Sequence, residues 1–395
     1  MIEPDFEQPY GWEKERKQPW LLARLEELTA HHARRCEPYA NMLRKAAPAG
    51  GGDGGLGRWP APAAEARGAG RVFGGGTIED LPMLPAALFK MAELRSVPPE
   101  DVFKTLTSSG TSSQRPSKIF LDRETAAAQT RALTAIAASF LGKKRLPMII
   151  VDYKNVLRDR KSFSARGAGI VGFATFGRDP LYLLREDGSL DEEGLAAFLD
   201  RFRGEPVFVF GFTYLVWKHL LRPLEESGRR LDLGGGVLIH GGGWKKMREE
   251  AVDNDRFKQA ARERLGIGRV HNYYGMVEQV GSIYMECEAG HLHAPVFADI
   301  RIRDPLTLEP LPAGRRGVVQ TLSVLPRSYP GHNLLTEDVG VLLGEDDCPC
   351  GRRGKYFRVE DRLPQAELRG CSDTAAYAAD AYGAAARAAE EAAGG

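Results

Sequence analysis

Apolar positions change their rhythm along the chain. Trp20, Leu21, Leu25, Leu28 and Leu43 recur near helical spacing with charges between them, which predicts a helix over 18–46. Residues 47–76 lose all periodicity and are dominated by Gly, Ala and Pro, the pattern of a flexible linker or long loop. A second helix signal precedes a Lys-containing strand near Val102–Thr107. From 119 to 345, buried-strand runs (Met148–Val151, Val207–Phe210, Gly236–Ile239) alternate with helical stretches (Ala126–Leu141, Leu195–Phe202, Tyr214–Glu226, Asp253–Leu265). Strands alternating with helices of this length predict an α/β domain with a largely parallel sheet. From about residue 296 the helices stop, and the segments 300–305, 317–322 and 339–343 alternate with Gly/Pro turns, predicting an antiparallel β lobe. The Ala-rich tail from Thr374 suits a short helix or a frayed end, and no internal repeat is visible. The expected segments are 1–46 (helical), 47–76 (linker), 77–295 (core), 296–362 (β lobe) and 363–395 (a short carboxyl-terminal segment).

Composition narrows the class. In 395 residues, 43% are hydrophobic and 27% charged, enough for a large core. Lys plus Arg is 54 against Asp plus Glu 53, so nothing in the overall charge draws the chain to nucleic acid or an anionic membrane. No apolar run approaches the ~18 residues of a membrane span, and the charged start lacks a signal peptide's apolar stretch. Five cysteines are an odd count, and Cys348-Pro-Cys350 is tight. That usage suits a reducing cytoplasm and metal or thiol chemistry better than a disulfide framework.

The stretch from Thr107 to Lys118 carries the most chemistry. Six hydroxyl residues (Thr107, Ser108, Ser109, Thr111, Ser112, Ser113) surround Gly110, with Pro116 and Lys118 downstream. Such a turn offers backbone N–H groups and hydroxyls to an anion, and Lys118 adds a point charge. It does not match the G-x-x-x-x-G-K-[ST] nucleotide pattern. A solvated Ser-rich linker is the plain alternative, but a linker is not expected between two apolar strands.

This loop resembles the Ser/Thr/Gly-rich ATP loop of the acyl-adenylate-forming superfamily. Asn272-Tyr273-Tyr274-Gly275-Met-Val-Glu278, Thr336-Glu337-Asp338 and Asp361-Arg362…Gly370 resemble three further blocks of that superfamily, in the same order. Within it, the segments 108–122, 208–213, 272–288 and 350–373 and the amino-terminal 25–43 are similar to the acyl-protein synthetases of bacterial bioluminescence, the long-chain-fatty-acid–luciferin-component ligases. The resemblance implies a large α/β adenylate-forming domain, with mixed and largely parallel sheets, flanking helices and a β lobe. The usual carboxyl-terminal lobe of about 100 residues is expected to be missing or strongly reduced, since 25 residues follow Gly370.

The resemblance also implies roles. ATP is the cofactor, with Thr107, Ser108, Ser109, Gly110, Thr111, Ser112 and Lys118 on its phosphates and Glu278 on Mg²⁺. Gly241, Gly242 and Gly243 approach adenine, with Tyr274 stacking in the Asn272–Gly275 block. Asp338 takes the ribose hydroxyls beside Arg362. Two positions depart from the family pattern, Glu337 and Asp361 standing where glycine is usual, which puts local turn geometry in question. The matching R-G-C-S-D places a self-acylated thiol at Cys371. The basic residues Arg352, Arg353, Lys355, Arg358 and Arg369 are candidates to lower its pKa. Plainer readings stand beside these: Glu278 as a capping or solvent-facing residue, the glycines as a tight turn, Cys371 as a buried thiol, the basic run as a solvated face.

Cys287-x₃-His291-x-His293 and, 55 positions after His293, Cys348-x-Cys350 form two tight clusters of soft ligands. Thiolate plus imidazole at such spacing suits structural tetrahedral Zn²⁺. A similar pairing in phenylacetate–CoA ligase-like relatives makes His293 the ligand and His291 the spare. The alternative is free thiols in two turns.

The expected function is ATP-dependent activation of a fatty or aryl acid as acyl-AMP, then transfer to a thiol: Cys371, with onward transfer to a partner protein such as a reductase. A phenylacetate-type coenzyme A ligase, a carrier-loading or amide-forming adenylating enzyme, and a non-catalytic nucleotide-binding scaffold are the alternatives. Val207–Trp217 suits an acyl pocket and core packing equally.

Overall fold

A computed structural model describes residues 6–46, 76–108, 115–157, 162–244 and 248–363. The chain separates into two compact units, one of residues 1–9 and 103–292 and the other of 10–102 and 293–395.

The helices in chain order are α1 (Lys14–Arg35), α2 (Glu37–Ala46), α3 (Arg123–Leu141), α4 (Ala165–Ala174), α5 (Glu192–Arg201), α6 (Thr213–Val216), α7 (Arg222–Glu226) and α8 (Asn254–Leu265). The strands are β1 (Leu84–Pro85), β2 (Lys104–Thr107), β3 (Lys118–Leu121), β4 (Leu146–Tyr153), β5 (Ser162–Ser164), β6 (Gly177–Leu184), β7 (Phe208–Phe212), β8 (Val237–Gly241), β9 (Arg269–Tyr274), β10 (Tyr284–Glu286), β11 (Leu292–His293), β12 (Ala298–Arg303), β13 (Arg316–Ser323), β14 (Asn333–Glu345) and β15 (Lys355–Arg362).

The helix expected over 18–46 is two helices. Cys36 adopts an extended conformation between them, and Pro38 sits in the first turn of α2, where its missing N–H costs nothing. The helix signal before Val102 is not a helix. Pro82, Pro85, Pro98 and Pro99 confine that stretch to the short strand β1 and single 3₁₀ turns at Ile78–Asp80, Ala86–Lys90 and Pro99–Asp101.

In the first unit, strands run in the order β10-β9-β8-β7-β4-β6. All neighbouring pairs from β9 to β6 are parallel, and β10 returns antiparallel to β9. Phe208, Val209 and Phe210 of β7 are fully buried, as expected of a parallel strand covered on both faces. Strand order reverses at β4, and ligands of open α/β sheets settle outside the carboxyl ends of strands near such a reversal. A small sheet β3-β2-β5 completes the unit.

In the second unit, β12, β13, β14 and β15 form an antiparallel meander, with β1 parallel to β14. Leu21 and Leu25 of α1 pack with Ile78, Leu81 and Leu322 in one buried cluster. The same unit holds a buried charge network. Asp299 receives Lys355 Nζ at 3.0 Å, Gln18 Nε2 at 2.9 Å and Arg301 Nη1 at 2.5 Å, with Lys17 Nζ at 3.6 Å. Burial alone would raise the Asp299 pKa, but Lys355, Lys17 and Arg301 hold it well below the usual carboxylate range.

Candidate functional site

The hydroxyl-rich segment is the connection of a β-hairpin. β2 and β3 pair antiparallel with Thr107 directly opposite Lys118. One step further, Ser108 N donates to Ser117 O at 3.1 Å and Ser117 N to Ser108 Oγ at 2.9 Å. The Ser108 oxygen is therefore an acceptor that ties the mouth of the loop, while Lys118 stands exposed beside it. Residues Ser109, Gly110, Thr111 and Ser112 lie outside the described residues. A linker reading does not fit a loop whose two stems are paired strands.

The glycine triplet and the aromatic block leave the carboxyl ends of adjacent parallel strands. Gly241 of β8 is in register with Tyr273 of β9. A Cβ at Gly241 would fall 2.5 Å from the Tyr273 ring, so only glycine lets that ring lie flat on the strand end. Gly242 packs similarly on Phe212, whereas Gly243 has nothing within 4 Å of a notional Cβ and leaves an open face. Tyr273 also stacks near Phe210 and Phe173, at 6.4 Å and 5.5 Å between ring centroids. The close approaches at Gly241 and Gly242 are thus made by the protein's own rings, and Gly243 has open space beside it. Tyr274 is half-buried and lies 5.9 Å from Tyr284. Upstream in the same run, Val207–Phe210 is core.

Glu278 sits in a 3₁₀ turn, Val277–Gln279, and is 8% exposed. It is neither a solvent-facing residue nor a helix cap. The turn is pressed onto α3: Gly281, with φ +87°, would place a Cβ 2.7 Å from the Gln129 backbone. A carboxylate held in a tight turn supplies one hard oxygen donor, which fits Mg²⁺ bound by one or two carboxylates and substrate phosphates.

Asp338 and Arg362 are register partners on β14 and β15. Arg362 Nη2 donates to Glu337 Oε2 at 2.6 Å, and its Nε lies 3.9 Å from Asp338 Oδ1. Neither Glu337 nor Asp361 has positive φ, so these strand positions do not require the glycine that is usual in the family pattern.

The donor atoms of His293, Cys348 and Cys350, all in the second unit, lie within 4.8 Å of one another. Cys350 Sγ is 3.4 Å from His293 Nε2, and the His293 ring stacks on Tyr356. Cys287 opens a tight turn, accepting from Gly290 N and donating its own N–H to His291 O. Two thiols and one imidazole this close, all but Cys350 buried, are three soft donors of the kind that hold structural zinc. His291 is outside the group.

Cys371 and Arg369 lie outside the described residues. Of the basic residues named as candidates to tune that thiol, Lys355 is committed to Asp299 and Glu345, Arg358 to Glu360, and Arg353 to Glu13. That basic run is largely paired within its own unit, which removes most of its reason to act as a free positive field.

Sequence reasoning passed over Glu286, which is 2% exposed and accepts from Asn254 Nδ2 at 2.5 Å, Lys258 Nζ at 2.6 Å and Asn272 N at 2.9 Å. It also passed over Asp152 at the carboxyl end of β4, gripped by the Arg166 guanidinium in a two-pronged pair. The hint for Glu286 was a carboxylate directly after the apolar run Ile283–Met285 and beside Cys287. Asp152 offered only an acid closing a buried strand, which many surface positions share.

A family model described as "Acyl-protein synthetase, LuxE" matches residues 70–379. The long-chain-fatty-acid–luciferin-component ligase of Vibrio harveyi is 24% identical over 312 residues, covering 75% of this chain and 77% of the relative. That of Aliivibrio fischeri is 23% identical over 308 residues, covering 75% and 78%. Among solved structures, a 2-hydroxyisobutyryl-CoA ligase in its postadenylation state with 2-HIB-AMP is similar in fold, with a TM-score of 0.65 at 16% identity, covering 92% of this chain and 72% of that one. An open conformation of the same ligase with 2-HIB-AMP and CoA gives a TM-score of 0.64, covering 94% and 82%.

Proposed function

The chain belongs to the acyl-protein synthetase family, and from that membership we propose that it activates a long-chain fatty or aryl carboxylic acid with ATP and passes the acyl group to a thiol, first its own Cys371. The observation that carries the reading is the paired hairpin that sets Thr107 opposite Lys118 at the mouth of a hydroxyl-rich loop. The acid's carboxylate oxygen attacks the α-phosphorus of ATP, the bond to the bridging oxygen breaks, and pyrophosphate leaves. Positioned donors and cations lower this barrier by meeting charge as it develops on the phosphates. Lys118 and the loop N–H groups take the outer phosphates. Glu278 would hold Mg²⁺, a hard cation that would supply positive charge against the phosphates. Gly243 and Tyr274 flank the base, and Asp338 accepts from the ribose hydroxyls.

In the second step a thiolate attacks the acyl carbonyl, the carbon–oxygen bond to AMP breaks, and AMP leaves with a thioester formed. The thiol's proton goes to solvent. A partner protein accepts the group afterwards. Cys287, His293, Cys348 and Cys350 would hold zinc, which would serve structure rather than activate water.

The test is intact mass after incubation with ATP, Mg²⁺ and a panel of fatty and aryl acids. The expected result is an acyl-sized increase in wild type, lost in Cys371→Ser. Consumption of coenzyme A without any mass shift would instead make the chain a coenzyme A ligase.

A further inference from the structure

We propose that Glu286 is a positioning residue for the nucleotide: with Lys258 and Asn254 it clamps β9 so that Tyr273 and Tyr274 present their rings at the strand end. This rests on the adenylation reading above, which puts the nucleotide beside Tyr274 and Gly243.

The geometry is specific. Register pairs of Tyr284 with Tyr274 and Met285 with Tyr273 bring Glu286 opposite Asn272. There its own side chain reaches the facing backbone: Oε2 accepts from Asn272 N at 2.9 Å. The neighbouring residue is held as well, since His271 Nδ1 lies 2.9 Å from Glu286 O. The other carboxylate oxygen, Oε1, takes Asn254 Nδ2 at 2.5 Å and Lys258 Nζ at 2.6 Å. Asn254 and Lys258 are four apart in α8 and so share one face. Asp253 caps that helix by accepting from Arg256 N, fixing its first turn. One carboxylate therefore joins the start of α8 to the strand position just before the two tyrosines.

A buried ion pair adds little net stability over an apolar pair of the same volume. What it supplies is direction, because charge-assisted hydrogen bonds are short and oriented. Asn272 precedes Tyr273 by one residue and Tyr274 by two. In a pleated strand a rotation at Asn272 turns both following side chains. The Tyr273 ring has no slack, lying against Gly241 where even a methyl group would collide. A small error at Asn272 therefore lifts that ring or displaces the loop after Gly241, on which the base is read to lie.

The experiment uses the full chain and Mg-ATP without acid, comparing wild type with Glu286→Gln, Lys258→Met and Lys258→Arg by calorimetric titration. Glu286→Gln and Lys258→Met are expected to weaken ATP binding roughly ten-fold, the effect of a modest misplacement, with Lys258→Arg near wild type. Pyrophosphate exchange at saturating ATP stays within about two-fold and metal content per chain is unchanged. Folded Glu286→Gln or Lys258→Met binding ATP as tightly as wild type overturns the proposal, as does a loss confined to maximal rate. If Glu286→Gln does not fold, Lys258→Met decides by the same readout. Wild type that binds no ATP overturns the adenylation reading itself and this proposal with it.

Discussion

Arg362 Nη2 lies 2.6 Å from Glu337 Oε2, so the acid standing where the family pattern has glycine holds the arginine that borders Asp338. Both side chains are partly exposed (49% and 31%), and such pairs contribute about 0–1 kcal/mol. Glu337→Gly is therefore expected to shift unfolding by no more than ~1 kcal/mol and to leave ATP affinity near wild type. Asp338→Ala is expected to raise the KM for ATP about 100-fold, the loss of two hydrogen bonds to a charged acceptor. Steady-state kinetics on the two variants separates them, and equal effects would remove Asp338 from the ribose site.

Lys118 is exposed at the loop mouth, so its loss should affect chemistry without affecting folding. Lys118→Ala is expected to slow acid-dependent pyrophosphate exchange roughly 10²–10³-fold with an unchanged melting temperature. Glu278→Gln is expected to show a comparable loss together with a higher Mg²⁺ requirement. A magnesium titration of exchange rate checks the pair; an unaltered requirement in Glu278→Gln contradicts its assignment.

The close group of His293, Cys348 and Cys350, with Cys287 as the proposed fourth ligand, predicts about one zinc per chain. Elemental analysis of protein purified without added metal measures it. Cys350→Ser, at the half-buried corner, is expected to lose most of the zinc and to lower the melting temperature, because metal binding contributes directly to folding. Metal-free protein that melts with the zinc-loaded form would show that the cluster does not stabilise the fold.

His240 and His332 are fully buried, and burial pushes both down to about 3; burial likewise holds His32 well below 6.5. Above about pH 6.5 these rings are neutral whether the chain is folded or not, and stability is at its full value. As the pH falls from there toward 3, the unfolded chain takes up protons that the folded chain refuses. Stability should therefore drop by about 1.4 kcal/mol per pH unit for each histidine. Urea unfolding at pH 7, 6 and 5 reads the slope. His332→Gln should flatten it by one histidine's share, and a slope unchanged in that variant contradicts the buried neutral ring.

The long helices α3 and α8 and the buried strands β4, β7 and β8 were legible because their apolar periodicity is uninterrupted. Strand β6 was not: Arg178, Asp179 and Pro180 break its pattern in the sequence, although Leu183 and Leu184 pair into the sheet core. Helix α4 carries Gly167, Gly169 and Gly172 over ten residues and reads locally as a turn. The metal cluster was legible because soft ligands at short spacing announce themselves. Glu286 was not, since its role depends on Asn254, Lys258 and Asn272, which only the packing of α8 on β9 and β10 brings together. The pairing of Glu337 with Arg362 was hidden for the same reason, because strand register, not spacing, sets it.

The most direct measurement of the central claim is exchange of labelled pyrophosphate into ATP by the purified chain, with and without a carboxylic acid. Acid-dependent exchange that requires Mg²⁺ and falls by two orders of magnitude or more in Lys118→Ala is the expected result. No exchange with any fatty or aryl acid, from folded protein that carries its zinc, would contradict the account.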